Sequence, residues 1–575
     1  MGEKLRDISY NLSRKTVYVI FGAICFYLFL ASIYSTCIMW YDTEITYYIK
    51  DFALLMVSGM LVMILMIFLM RYFLQKIMEK SRYIIIFLTM VWAVLLIGFA
   101  CNTDITRVYD QAKVYEAIHG LVSGDYTLWQ IGGYIYCYPF QNGIILLYAP
   151  IMLIFGENTY FAIQVLNILL YWMMAVGFYK LSKIFFDRTV AVFTYIGILF
   201  FLPLWGYIKY FYGNLSGLSI IIWAIYFLAS FMEKNRWRYL IGSSLCLAFS
   251  IVFKSNFTIY AIAMILVLIL ESFCKKKTNY LKAAVVLGLT VILASKLPLW
   301  VAGCITGCVT NQGIPSIYCI DMGLRESYVA PGWYSGDGLK TFAENQYSVD
   351  KFASDSWQNI RSSLTNFSQD KYYTLRFFGK KIASIWNNPT FESFAVVVKG
   401  NIFGTIDYWM KDILYNGGIL NSIIMLIMDV LQSLYLFGNV LYLIYCKKEH
   451  DIKRAIPLIA FIGGFLFHIF WEGKCQYTFL FFVMLIPYAL AGYKFCIHKI
   501  IEWYNGPSRM ERLVKSRKVQ MFAVLLTVIF LIGVWDNPIF DATIKLRGDE
   551  QAYVWLFKER AYWKSPDFTK EGFWE

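Results

Sequence analysis

Of 575 residues, 59% are apolar, 19% aromatic and only 16% charged, and the mean hydropathy is +0.55. Such a composition exceeds what a soluble core can bury, which excludes a soluble globular enzyme and makes the chain an integral membrane protein. The formal net charge of +14 does not mark a nucleic-acid binder, because Lys and Arg are spread between apolar runs and not clustered on one soluble module.

Crossing a bilayer as helix takes roughly 20 mostly apolar residues, so that no backbone polar group meets lipid unpaired. Runs of this kind lie at 17–40, 52–70, 83–101, 159–179, 190–203, 216–232, 240–253, 257–270, 283–301, 419–445, 456–471, 477–493 and 521–535. They predict an all-α polytopic membrane protein with about 13 transmembrane helices. The first run follows Lys4, Arg6, Arg14 and Lys15, but it is too long for a cleaved signal and lacks a small-residue cleavage site.

Lys and Arg near span ends are retained in the cytoplasm. With the N-terminus inside, the loop of Arg71, Lys76, Lys80 and Arg82 is inside and the loop 102–136 is outside. The apolar stretch 138–155 is short and carries Pro150. If it spanned, the clusters at Lys180, Lys183 and Arg188, at Lys234, Arg236 and Arg238, and at Lys275, Lys276, Lys277 and Lys282 would all fall outside. Laid along the outer surface as an interfacial segment, it keeps every cluster cytoplasmic, together with Lys447, Lys448, Lys453, Arg454 and the basic stretch 494–518. The expected organisation is a transmembrane module 1–301 whose first outer loop spans 102–158, an extracytoplasmic insertion 302–413, transmembrane helices 414–537, and an extracytoplasmic tail 538–575.

This layout collects the polar exceptions on one face. Asp110 opens a stretch with helical apolar spacing at Val114, Tyr115, Ala117 and Ile118, where a helix N-terminus would keep a carboxylate ionised. It reads equally as a general base or as a simple N-cap, with Asp104 as a second carboxylate. Lys209 and Lys254 are cations on the side where the charge rule disfavours them, which suits binding of a phosphate or snorkelling to headgroups. Glu472 and Lys474 share a short loop at the surface, either as site residues or as a mutual ion pair. Tyr134, Tyr136, Tyr138, Trp205, Tyr207, Tyr210 and Tyr212 crowd nearby, as sugar-stacking rings or as an interfacial belt.

No nucleotide-binding glycine loop, zinc-protease or serine-hydrolase motif stands in a suitable context. His119, His450, His468 and His498 are too dispersed for a His-based metal centre; Cys304, Cys308 and Cys319 could form a disulfide or metal site, without a histidine among them.

The order of these features resembles the membrane glycosyltransferases of the C-type fold (GT-C), in particular bacterial relatives of protein mannosyltransferases and aminoarabinose transferases. The resemblance rests on Asp110-Gln111 with Ala117 and Gly124, Tyr138-Pro139-Phe140-Gln141, Lys254-Ser255-Asn256, and Glu472 followed by Gln476-Tyr477. Within the insertion, Gly332-Trp333-Tyr334 and the stretch from Phe377 to Trp386 resemble a Gram-positive group of such enzymes. The chain departs from relatives in having Gln476 where many have Arg, and in lacking the paired Asp-Glu of protein mannosyltransferases. The resemblance implies an inverting transfer of a sugar from a polyprenyl-phosphate donor to a cell-surface glycan or lipid-linked acceptor, outside the bacterial plasma membrane. Asp110 would be the base; Asp104, Gln111, Tyr138, Gln141, Lys209, Lys254, Asn256, Glu472, Lys474, Gln476 and Tyr477 would bind substrate. No metal ligand and no cofactor is implied beyond the lipid-phosphate sugar itself, a divalent metal remaining open; the partners are lipid, donor and glycan acceptor, with no nucleic acid. The competing readings are a flippase or transporter of lipid-linked glycans, and a glycan polymerase, which would ordinarily rely on more loop arginines than Arg325, Arg361 and Arg376.

Overall fold

A computed structural model describes residues 2–39, 45–51, 53–72, 74–102, 109–310, 312–399, 419–445 and 451–503, with scattered positions after 409 and 515. The bundle contains α1 (Gly2–Tyr34), α2 (Ala53–Tyr72), α3 (Ser81–Cys101), α4 (Tyr109–Ser123), α5 (Asn142–Phe155), α6 (Thr159–Phe185), α7 (Arg188–Leu199), α8 (Asn214–Lys234), α9 (Trp237–Phe253), α10 (Thr258–Lys275) and α11 (Thr278–Thr306). The insertion carries α12 (Ile317–Gly323), α13 (Gly338–Glu344), α14 (Val349–Gln369), α15 (Lys371–Trp386) and α16 (Ser393–Lys399). The bundle resumes with α17 (Ile419–Tyr445), α18 (Ala455–Phe470), α19 (Cys475–Phe482) and α20 (Ile486–Trp503).

Among the described residues, nine helices are long and apolar enough to cross a membrane, ten if the bent pair Arg188–Leu199 and Leu202–Lys209 is one span. Shorter apolar helices lie at Ala53–Leu65 and Trp237–Phe253. The expected thirteen is not reached among them; the run 521–535 lies largely outside the described residues. Large side chains such as Tyr83, Val94 and Trp300 are exposed on the bundle, which water would penalise and a bilayer favours. One correction concerns the end of the first run: Ser35–Met39 leaves the helix and pairs antiparallel with Thr46–Lys50 as a hairpin, β1 and β2, with Thr36 opposite Ile49. A β-branched Thr36 and Ile38 favour the strand, but a five-residue apolar strand abutting a helix has no boundary that periodicity can detect.

Side-chain bonds sort the helix ends into two sets. At one end, Lys494 pairs with Asp187, Lys453 with Glu233 at 2.8 Å, Lys275 with Glu271 at 2.6 Å, and Arg188 donates to Ser81 at 2.9 Å. At the other, Lys209 donates to the Ala100 carbonyl (2.6 Å), Tyr160 to the Lys209 carbonyl (2.6 Å) and Asn214 to the Gln476 carbonyl (2.9 Å). Thus α3 runs from the basic end to the opposite end, and α6 starts where α3 stops. Between them, Gly143 at the start of α5 lies against the Val252 carbonyl, close enough that a Cβ would sit 2.2 Å from that oxygen. Both ends of α5 therefore lie at the non-basic end of the bundle, although by length and composition 139–185 counts as one candidate span.

The insertion covers this end. It starts after α11, whose last turn closes on Gly307 in the left-handed region at φ 69°, and it is fastened at two places. Ile314 donates its amide to the Cys137 carbonyl (3.0 Å), and Gly473 donates to the Gly332 carbonyl (2.7 Å). Beneath the second fastening, the buried Lys381 ammonium donates to three carbonyls, of Gly323 (2.5 Å), Ile469 (2.9 Å) and Trp471 (2.8 Å). Two of these close the C-terminus of α18, where the helix dipole favours a cation. Burial pulls the Lys381 pKa down to about 7, opposed by Glu472. Tyr136 and Cys137 pack with Tyr318, Met322, Phe342 and Phe352 in one apolar cluster, so the insertion and the first loop share a core.

Candidate active site

Asp110 stands in the first turn of α4, half-buried. The helix is held by Val114, Ala117 and Ile118, all fully buried at the spacing that makes one apolar stripe. Its start is pinned because the Gln111 side-chain oxygen accepts from the Phe211 amide at 2.9 Å. Tyr212, next along that strand of chain, donates to Asp110 Oδ2 at 3.4 Å and accepts from Gln141 Nε2. Burial pushes the Tyr134 and Tyr212 phenols well above their ordinary pKa, with Asp110 adding to both, so the carboxylate is lined by neutral hydroxyls. A neutral phenol orients a carboxylate without removing its charge.

Lys254 enters from the opposite side. It follows the last residue of α9 with an extended backbone (φ −158°, ψ 124°), and the chain re-enters α10 through a 3-10 turn Ser255–Phe257. The break turns the buried ammonium to Asn214 Oδ1 at 2.6 Å and over two ring faces, of Tyr212 at 4.5 Å and Tyr477 at 4.9 Å. Gly213 makes the approach feasible: it sits at φ 75°, and a Cβ there would lie 2.5 Å from the Phe253 carbonyl oxygen. Burial first, and then Lys474, lower the Lys254 pKa to about 7, against Asp110, Glu392 and Glu472, which raise it. Two ammoniums and three carboxylates therefore act on one another here. Tyr138 is raised by burial, with Tyr334, Asp110 and Glu472 contributing, which places it in the same group.

Of the residues singled out from sequence, Asp110, Tyr138, Gln141, Lys254, Glu472, Lys474 and Tyr477 come together. Gln476 contributes mainly through its backbone: its carbonyl holds Asn214, and its amide donates to Glu392 Oε2 at 3.3 Å. Asn256 is half-buried in the 3-10 turn beside Lys254. Lys209 is turned inward to the end of α3, and Gln111 serves the backbone of Phe211. Asp104 lies outside the described residues. Cys304, Cys308 and Cys319 are free thiols, and among the described residues no group of three or more His, Cys, Asp and Glu could hold a metal ion.

Sequence reasoning missed Glu392 and Asn214, and it took Tyr334 only as part of the Gly332-Trp333-Tyr334 motif, not as a neighbour of Tyr138. Glu392 is 2% exposed and sits, after Phe391, in the left-handed region at φ 68°. Its signal was a carboxylate that, with Ser393, interrupts the apolar stretch from Phe391 to Val398. Two consecutive non-glycine residues in that region cost strain, and here they are held by Tyr207, whose hydroxyl donates to the Phe391 carbonyl at 2.5 Å, and by Asn388, whose oxygen receives the Thr390 amide at 3.0 Å.

Residues 144–300 match the family model described as dolichyl-phosphate-mannose-protein mannosyltransferase, a segment running from α5 through most of α11. No curated protein matches the chain. Among solved structures, an archaeal oligosaccharyltransferase from Archaeoglobus fulgidus, in complex with an inhibitory peptide and a dolichol-phosphate, is 12% identical with a TM-score of 0.39; the match covers 81% of this chain and 56% of that one. The protein thus resembles the C-type-fold membrane glycosyltransferases through its matched segment.

Proposed function

We propose that this chain, similar over residues 144–300 to a family of lipid-phosphate-dependent mannosyltransferases, is an inverting glycosyltransferase that takes its sugar from a polyprenyl-phosphate donor on the extracytoplasmic face of a bacterial plasma membrane. The observation that carries the reading is the convergence of one carboxylate and one buried ammonium on a single tyrosine: Asp110 at its hydroxyl and Lys254 over its ring. Asp110 takes the proton of an acceptor hydroxyl, in a cell-surface glycan or lipid-linked acceptor, as that oxygen bonds to the anomeric carbon. The bond from that carbon to the lipid phosphate breaks, and the phosphate departs with the electron pair toward Lys254 and Lys474. One carboxylate suffices because attack and departure occur on opposite faces of the sugar, whereas retention would need a nucleophilic carboxylate as well. Transfer from a synthetic polyprenyl-phosphate sugar by the purified protein tests the reading; absence of transfer with every such donor would sink it.

A flippase reading is less well supported, because the polar residues gather at one end of the bundle and not at mid-membrane between related halves. Tyr212→Phe should slow transfer about fivefold, the loss of one hydrogen bond of about 1 kcal/mol, with the fold intact. An unchanged rate would separate Tyr212 from the chemistry.

The orientation rests on charge: Lys453, Arg188, Lys275 and Lys494 mark the end away from the site. On a cysteine-free background, Lys340→Cys in intact cells should react with an impermeant maleimide while Lys277→Cys does not. The opposite labelling would place the site in the cytoplasm.

A further inference from the structure

A second polar knot lies away from Asp110, where α1, the hairpin, the end of α15 and α17 meet. The Thr36 hydroxyl is 2.7 Å from Asp429 Oδ2 and 3.0 and 2.9 Å from the two oxygens of Asp51. Both carboxyl groups are buried, Asp429 completely and Asp51 to 8% exposure. A hydroxyl has one hydrogen, so it cannot satisfy two carboxylates. One added proton would complete the chain from Asp429 through Thr36 to Asp51.

That proton leaves a remainder of acceptors. Asp429 Oδ1, Gln432 Oε1 and Asn387 Oδ1 are buried with no hydrogen-bond partner among the described residues. Neither amide can turn its nitrogen inward instead: Gln432 Nε2 donates to the Trp386 carbonyl (2.7 Å) and Asn387 Nδ2 to the Ser35 carbonyl (3.3 Å). Gln432 is one helical turn from Asp429 on the same face of α17. Asn387 lies against the residues flanking Thr36, because its carbonyl also receives the Cys37 amide at 3.0 Å. The surplus within this group is of oxygen acceptors, from two carboxylates, one hydroxyl and two amides fixed independently of the carboxylates; the unpartnered donors nearby in the chain, Trp386 Nε1 and Asn388 Nδ2, belong to the residues flanking Asn387. A buried acceptor without a donor costs about 1–3 kcal/mol, and three of them together need an explanation other than packing.

We infer that this knot is a binding site for a hard metal cation, Ca²⁺ or Na⁺, held by oxygens of Asp51, Asp429, Thr36, Gln432 and Asn387. Oxygen donors of these types are what such cations take, and a cation supplies what a shared proton cannot: simultaneous attraction for every surplus lone pair. Bound there, it ties the hairpin to α17 and to the end of the insertion. The site is independent of the proposed transfer reaction.

The test is thermal unfolding of the full-length protein in detergent, stripped with chelator and titrated with CaCl₂ or NaCl, against choline chloride at matched ionic strength. The expected result is a rise in melting temperature with one of the two cations, absent in Asp429→Asn and shifted to higher cation concentration, on the order of tenfold, in Gln432→Met. Equilibrium dialysis with the radiolabelled cation should find about one ion per chain in the wild type. If Asp429→Asn fails to fold, Gln432→Met and the dialysis still decide. No cation-specific stabilisation and no retained label would overturn the site and leave a shared proton or buried water in its place; equal stabilisation of wild type and both variants would overturn it too.

Discussion

Asp110→Asn protein, folded and purified, transfers sugar on the order of a hundredfold or more slower than wild type, the contribution expected of a positioned general base. Asparagine keeps the size of the side chain, can still accept from Tyr212 and preserves the packing of Val114, Ala117 and Ile118 beneath it. It cannot take up the acceptor's proton. Donor binding should therefore be nearly unchanged while turnover falls. The measurement is transfer from a synthetic polyprenyl-phosphate sugar, with Asp104→Asn in parallel. Wild-type turnover in Asp110→Asn with a dead Asp104→Asn protein would move the base to Asp104; normal turnover in both would remove catalysis from this loop.

The second large effect is at Lys254. Its ammonium has a pKa lowered to about 7 by burial and by Lys474, so it is charged below that pH and neutral above it. An anionic donor phosphate binds the charged form, and the apparent affinity scales with the fraction present in that form. Donor KM should accordingly rise as pH passes upward through about 7, flattening where the bound phosphate itself raises the lysine pKa. Lys254→Arg, always cationic, should lose this dependence; Lys254→Ala should weaken donor use roughly tenfold or more below about pH 7, the worth of a charge-assisted contact, and by progressively less above it, where the wild-type lysine is neutral. A pH-independent donor KM in wild type, with unchanged kinetics in Lys254→Ala, would return this lysine to a packing role.

Much of this arrangement was legible in the chain because its strongest signals are local. A carboxylate, a Lys-Ser-Asn break and a charged loop each interrupt an apolar run, and the bilayer makes every such interruption expensive enough to notice. What escaped depends on where separate segments meet. Asn214 looks like the start of an ordinary span until Lys254 lies against it, and Glu392 gains meaning only once the Gln476 amide reaches it across 84 residues. Lys209 shows the reverse: its position in sequence suits a phosphate, but its direction is set by the end of α3, a contact 109 residues away. The hairpin was missed because Thr36 and Ile38 continue the apolarity of α1 without a period to distinguish them.

The two fastenings of the insertion bear on how the protein is made. Its anchor points are Cys137, already in place when the insertion is synthesised, and Gly473, which does not yet exist. Translation at roughly 5–20 residues per second separates Asp110 from Tyr477 by on the order of half a minute. During that interval Asp110 and Lys254 are in the membrane without the segment that completes their surroundings, and Lys381 lacks the Ile469 and Trp471 carbonyls that it later closes. A ribosome stalled before α18 leaves the partners of the Asp110–Tyr212 and Lys254–Asn214 contacts made but the insertion fastened at Cys137 alone, so newly made chains should pass through a protease-sensitive stage that ends when the insertion docks on residue 473.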